Sequence, residues 1–107
     1  MADHLVIDVR EDAGVSVLAL RGELDLASSP ELSAKAEELL ADGVPLVLDL
    51  RDLRFIDSTG LGAIAGVDRT AQKAGTKMSL IPGPPTVQRV FEISGTTDAF
   101  TWVEATD

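Results

Sequence analysis

Two consecutive segments decide the fold of this 107-residue chain: Leu46–Leu50 (LVLDL) and Phe55–Gly62 (FIDSTGLG). The first is a short, nearly continuous apolar run, which predicts a buried strand. After the second, apolar residues recur at helical spacing, at Ile64, Val67, Ala71 and Ala74. Ser58 is therefore predicted to lie where a loop leaves the strand and enters a helix. At such a place the free backbone N–H groups and the helix dipole favour a hydroxyl, a carboxylate or a phosphate.

The residues before this segment predict a hairpin and a helix. Leu5, Ile7 and Val9 alternate with other residues, as in a strand with one buried face, and a turn at Glu11–Gly14 joins it to the apolar run Val15–Leu20. Because that run is apolar on both faces, we expect a central strand, followed by a loop over Arg21–Asp25. A helix then starts at one of two caps. Ser28 would form a capping box with Glu31, and Ser29 would place Pro30 at the first helical position.

The residues after it continue the alternation of helix and strand. We expect a helix from about Gly60 to Ala74, a strand over Met78–Ile81, a rigid proline turn, and a third helix that ends before Gly95. The run Phe100–Val103 predicts an edge strand, with Trp102 in the core. The fold class is therefore α/β: a single domain over residues 1–107, with a mixed sheet, a leading hairpin and helices packed on the sheet.

Composition excludes several classes of function. The chain has no cysteine, a single histidine and a formal net charge of −9. Thiol chemistry is excluded, and nucleic acid and anionic membranes are unfavourable partners because phosphate contacts need lysine and arginine. With no secretory signal and no apolar stretch near 20 residues, we expect a cytoplasmic protein that binds a basic protein surface.

Local chemistry leaves more than one interpretation of Ser58. A loop entering a helix exposes a hydroxyl to a protein kinase, and a phosphate there would add roughly 1.5 to 2 negative charges without changing the fold. Alternatively, Ser58 or Thr59 caps the helix, a contact worth about 1 kcal/mol. Asp25 has a similar ambiguity, since it is either a carboxylate that caps the following helix or part of a surface beside the next loop.

Nucleotide binding and catalysis are less well supported. Gly60–Ala65 matches the pattern G-x-G-x-x-A, but the acidic residue expected about 20 positions later is missing. We therefore interpret these glycines as allowing close packing of the helix on the sheet, and expect no bound cofactor. His4 is the only histidine and no G-x-S-x-G motif occurs, so the sequence does not predict an enzyme.

Four segments resemble the STAS domain, in particular the stand-alone anti-sigma factor antagonists of bacteria. They are Gly22–Asp25 (GELD), Val47–Leu53 (VLDLRDL), Phe55–Gly62 (FIDSTGLG) and Val90–Phe91, in the order and at the spacing of that family. The motif DSTGLG is the most specific of them. Arg51 and Arg54 make the loop before it more basic than the rest of the chain.

The resemblance implies a function and a set of site residues. In that family the dephosphorylated domain binds an anti-sigma factor serine kinase and thereby releases a sigma factor. The kinase then phosphorylates the serine of this loop with its own ATP, and a phosphatase reverses the modification. By position, Ser58 is the expected phosphosite and Thr59 a secondary candidate. The expected partner-binding residues are Asp25, Asp57, Ser58, Thr59, Gly60, Leu61 and Gly62. An alternative within the family is a non-phosphorylated adaptor subunit in a signalling or lipid-transport assembly.

Overall fold

The computed structural model describes residues 4–105; residues 1–3 and 106–107, the two ends of the predicted domain, lie outside that range. The strands are β1 (Val6–Asp12), β2 (Val15–Leu24), β3 (Leu46–Ile56) and β4 (Met78–Ile81). The helices are α1 (Ser29–Leu40), α2 (Ser58–Lys73) and α3 (Pro85–Ser94), followed by a 3-10 turn at Thr97–Ala99. None of the helices in the described residues combines the length and the apolar character that a membrane span requires.

The strands form one mixed sheet in the order β1-β2-β3-β4. β1 and β2 are antiparallel, and the other two neighbouring pairs are parallel. The hairpin between β1 and β2 turns on Ala13 and Gly14, both with positive φ, as a two-residue turn of this kind requires. The α/β class, the leading hairpin and the central position of β2 are therefore confirmed.

The core lies between the sheet and the helices. Strands β2, β3 and β4 contribute leucines that are 0–2 % exposed, and the three helices add apolar side chains from one face each. These helix residues are Leu32, Ala36, Leu40, Leu61, Ile64, Val67, Ala71, Val87 and Phe91. Trp102 also packs against this core, with its ring 5.0 Å from that of Phe91, as predicted.

Two strands are longer than predicted. β2 continues through Arg21–Leu24 and β3 through Arg51–Ile56, although the sequence predicts loops for both segments. Register shifts at Ala19/Arg21 and Gly22/Glu23 explain the error in β3, because each adds a residue to β3 and its buried residues then recur at every third position, at Leu50, Leu53 and Ile56. In β2 the alternation continues through Leu24, but Gly22 and Glu23 have a low strand propensity. As a result, α2 starts directly after β3 instead of after a loop.

Three smaller predictions also need correction. Val9 is 43 % exposed, so burial on β1 fades toward the hairpin of this edge strand. The C-terminal strand is reduced to a single parallel bridge between Trp102 and Leu80. Ser28 is the N-cap residue of α1, but its side chain does not cap the helix, so the capping box with Glu31 does not form.

Candidate functional site

Asp57 is the residue that organises the start of α2. It lies in extended conformation directly after β3, and its carboxylate accepts a hydrogen bond from the Gly60 N–H at 2.8 Å. Its backbone carbonyl accepts the first helical hydrogen bond from Leu61, at 2.9 Å. Asp57 is therefore the N-cap of α2, and the alternative in which Ser58 or Thr59 caps the helix is wrong.

The hydroxyls of Ser58 and Thr59 are available because Asp57 does the capping. Both residues are exposed in the first turn of α2. Within residues 4–105, neither hydroxyl takes part in a hydrogen bond. A negative group attached to Ser58 would lie at the positive end of the helix dipole, which stabilises it, and beside the Asp57 carboxylate, which opposes it.

Gly60 fixes how closely α2 approaches the sheet. A Cβ atom at this position would lie well within the van der Waals contact distance of the Leu24 carbonyl oxygen and 3.0 Å from the Ile56 side chain. Gly62 differs, since a Cβ there would meet nothing within 4 Å. The interpretation that the glycines permit close packing is therefore confirmed for Gly60 and wrong for Gly62. Leu61, 9 % exposed, anchors the same turn in the core.

Asp25 lies beside this helix start, at the same edge of the sheet. Leu24 pairs with Ile56, so Asp25 and Asp57 follow the ends of neighbouring parallel strands. The Asp57 N–H also donates to the Leu24 carbonyl at 3.3 Å. The structure thus brings together the two segments that the sequence predicted to meet.

The carboxylate of Asp25 organises its own turn. Its Oδ1 accepts hydrogen bonds from the N–H groups of Ala27 and Ser28, both at 3.1 Å. Ser28 Oγ donates to the Glu23 carbonyl at 2.8 Å, and Ser29 Oγ donates to the Asp25 carbonyl at 2.6 Å. Residues 25–28, which we call the β2–α1 turn, are consequently held by side-chain hydrogen bonds on both sides.

The basic character expected before the site is partly neutralised. Arg51 forms a forked ion pair with Asp49, with its Nη2 2.7 Å from Oδ2 and its Nε 3.0 Å from Oδ1. Asp49 is only 5 % exposed, so the Arg51 guanidinium compensates a buried carboxylate. Arg54 is exposed and lines a shallow surface depression together with Arg21 and His4.

Two exposed apolar residues at this edge were not singled out from the sequence. Leu26, in the β2–α1 turn, is 73 % exposed, and Phe55, near the end of β3, is 47 % exposed. A sequence signal for Leu26 did exist, because an apolar residue directly after the aspartate of a turn has no strand or helix face to occupy.

Comparison with known proteins identifies the family. The STAS domain model matches residues 6–106. Over 95 residues the chain is 32 % identical to the anti-sigma-B factor antagonist of Bacillus subtilis, covering 89 % of this chain and 87 % of that protein.

Solved structures agree in fold. The crystal structure of an anti-sigma factor antagonist from Mycobacterium paratuberculosis superposes with a TM-score of 0.86 at 27 % identity, covering 98 % of this chain and 90 % of that one. The Bacillus cell fate determinant SpoIIAA in its phosphorylated form gives a TM-score of 0.72 at 25 % identity, covering 95 % and 93 % of the two chains.

Proposed function

This chain belongs to the STAS domain family, and we propose that it acts as an anti-sigma factor antagonist that is switched at Ser58. In this proposal the unphosphorylated protein binds an anti-sigma factor serine kinase in the cytoplasm, and a sigma factor is released. Phosphorylation of Ser58 by that kinase separates the complex, and a serine phosphatase of the partner-switching type restores binding. The chain itself is a regulatory binding protein, and the kinase holds the nucleotide.

One observation carries the proposal: the Ser58 hydroxyl is exposed on a fixed helix start and has no structural task there. The Asp57 carboxylate accepts the free N–H of Gly60 at the helix terminus, while Gly60 and Leu61 hold the turn against the sheet. A kinase can therefore modify Ser58 without removing a contact on which the fold depends. The phosphorylated SpoIIAA structure supports this view, because a chain of the same fold carries a phosphate.

The proposed partner surface has a geometry suited to on–off control. Its exposed and half-buried members are Asp25, Asp57, Ser58, Thr59 and Gly62, whereas the predicted members Gly60 and Leu61 are buried and hold the turn against the sheet. The exposed residues of this surface lie beside Ser58, so a partner that binds them would also cover Ser58. A dianionic phosphate on Ser58 would then either be buried in the interface or prevent the partner from binding. An unfavourable charge in an interface costs several kcal/mol, and about 1.4 kcal/mol corresponds to a tenfold change in affinity. We therefore expect phosphorylation to weaken binding by about a hundredfold or more.

The test is phosphorylation of the full chain by a purified anti-sigma factor kinase that the wild-type protein binds. After incubation with ATP, peptide mass mapping is expected to place the phosphate on Ser58. Ser58→Ala should block the modification and keep the complex intact, and Ser58→Asp should weaken it about a hundredfold by titration calorimetry.

Thr59→Ala provides the matched control, since Thr59 is exposed in the same helical turn. It should still be phosphorylated at Ser58, and residual phosphate in Ser58→Ala would identify Thr59 as the secondary site. Equal affinity of folded wild-type and Ser58→Asp proteins for the kinase would contradict the switch. Such a result would favour a non-phosphorylated STAS adaptor.

A further inference from the structure

We propose that Leu26 is the apolar anchor by which this chain docks into a hydrophobic pocket on its anti-sigma factor kinase, and that it helps to determine which kinase is bound. The inference rests on the proposed function and adds to it a residue outside the predicted set. Leu26 is 73 % exposed, far more than the leucines of the core. Since it contributes little to the core, its large apolar side chain is available to a partner.

The turn that carries Leu26 is held in place before binding. The Asp25 carboxylate accepts the N–H of Ala27, directly after Leu26, and the N–H of Ser28. Ser28 is 4 % exposed, and its hydroxyl accepts the Asp25 N–H at 3.0 Å. A side chain presented on such a fixed backbone loses little conformational freedom on binding, which favours affinity.

Leu26 also lies next to the proposed switch. Only Asp25 separates it from Leu24, whose carbonyl accepts the Asp57 N–H and lies against Gly60. The Leu24 carbonyl therefore connects the β2–α1 turn, which begins at the next residue, to the start of α2. A partner that covers Ser58 is therefore well placed to cover Leu26 as well.

This arrangement links the apolar contact to phosphorylation. Apolar contacts gain free energy only if water leaves the interface, and a phosphate at the same edge retains tightly bound water. A phosphate on Ser58 would thus weaken the partner's contacts around Ser58 and also the neighbouring apolar contact of Leu26. Specificity follows because a kinase without a matching pocket gains nothing from Leu26.

Exposure alone does not support this proposal, since isolated apolar residues are common on protein surfaces. Ile93 is such a residue: it is 76 % exposed, on α3, where it lines a shallow depression with Pro85, Arg89 and Glu92. It matches Leu26 in size and exposure but not in position, which makes it the control.

The experiment measures affinity for a purified anti-sigma factor kinase that the wild-type chain binds. Leu26→Ala is expected to weaken binding by about tenfold or more, whereas Leu26→Met and Ile93→Ala stay within about threefold of wild type. The loss should persist at high salt, because an apolar contact is not screened. Thermal unfolding verifies that all variants are folded.

The outcomes separate this proposal from the function on which it rests. If Ser58→Asp weakens binding but Leu26→Ala binds like wild type, the anchor is overturned and the proposed function stands. If Leu26→Ala and Ile93→Ala weaken binding equally, the effect does not depend on position, and the proposal that Leu26 is the anchor is also overturned. If Leu26→Ala weakens binding while Ser58→Asp does not, the docking contact stands and the phosphorylation switch fails.

Discussion

The starts of α1 and α2 contain similar residues but use them in opposite ways. Each follows one of two neighbouring parallel strands, and each combines an aspartate with two hydroxyl side chains. At α1 the hydroxyls of Ser28 and Ser29 are buried and donate to backbone carbonyls. At α2 the hydroxyls of Ser58 and Thr59 are exposed and make no hydrogen bond within residues 4–105.

The spacing between the aspartate and the helix accounts for the difference. Asp57 directly precedes α2, so its carboxylate reaches the Gly60 N–H and caps the helix. Asp25 lies four residues before the first residue of α1, and its carboxylate accepts the N–H of Ser28 in the intervening turn instead of capping the helix. A hydroxyl at a helix start is thus available for modification where an adjacent carboxylate has taken over the capping.

The largest expected effect comes from Gly60, on which the geometry of the α2 start depends. Gly60→Ala would force a Cβ against the Leu24 carbonyl, which is part of a central strand and cannot move aside. We expect a loss of about 3 kcal/mol in the free energy of unfolding. Urea unfolding monitored by the fluorescence of Trp102 measures it.

Gly62→Ala is the control for that substitution. The site has open space, and Gly62 lies inside the same helix, so alanine should stabilise the protein by up to about 1 kcal/mol. Equal stabilities of the two alanine variants would show that α2 is not pressed against β2 at Gly60.

The next effect tests the two pairs of hydroxyls directly. Ser28→Ala removes the acceptor of the Asp25 N–H and the donor to the Glu23 carbonyl in a buried position, so we expect a loss of about 2 kcal/mol in the free energy of unfolding. Ser58→Ala removes no hydrogen bond and should change it by less than about 0.5 kcal/mol. Denaturant titration of both variants decides this, and similar losses would contradict the comparison.

Much of the fold could be predicted because local signals agreed with it. The strand Met78–Ile81 was predicted with its observed ends, and Gly95 ends α3 in the left-handed conformation expected of a helix C-cap. Periodicity failed at Arg51–Ile56, where strand irregularities shift the buried positions to every third residue. At Arg21–Leu24 the alternation continues, and the low strand propensity of Gly22 and Glu23 caused the error. Leu53 and Ile56 are apolar and buried, but they lie three positions apart, a spacing that a regular strand does not predict.

The location of the candidate site could be predicted from the sequence, but which of its side chains caps α2 and which is free for modification could not. The motif and the order of strands place Ser58 beside Asp25 at one edge of the sheet. Which side chain caps α2 depends on whether the helix begins at Ser58 or at Gly60, and sequence patterns determine such boundaries poorly. The exposure of Leu26 is different, because its position directly after the aspartate of a turn already indicates that it has no strand or helix face to occupy.

The smallest expected effect tests whether Asp57 is the cap that frees Ser58. Asp57→Ala removes the hydrogen bond to the Gly60 N–H and should cost about 1 kcal/mol of stability, whereas Asp57→Asn retains an acceptor and should cost less than half of that. Both variants remove the negative charge beside Ser58, so a property that depends on this charge changes equally in the two. Hydrogen exchange of the Gly60 amide distinguishes the effects: it should accelerate in Asp57→Ala and stay protected in Asp57→Asn. Protection in both variants would mean that another group, such as the Ser58 hydroxyl, can cap the helix. The hydroxyls at the start of α2 would then differ only in extent, not in kind, from the hydrogen-bonded hydroxyls at the start of α1.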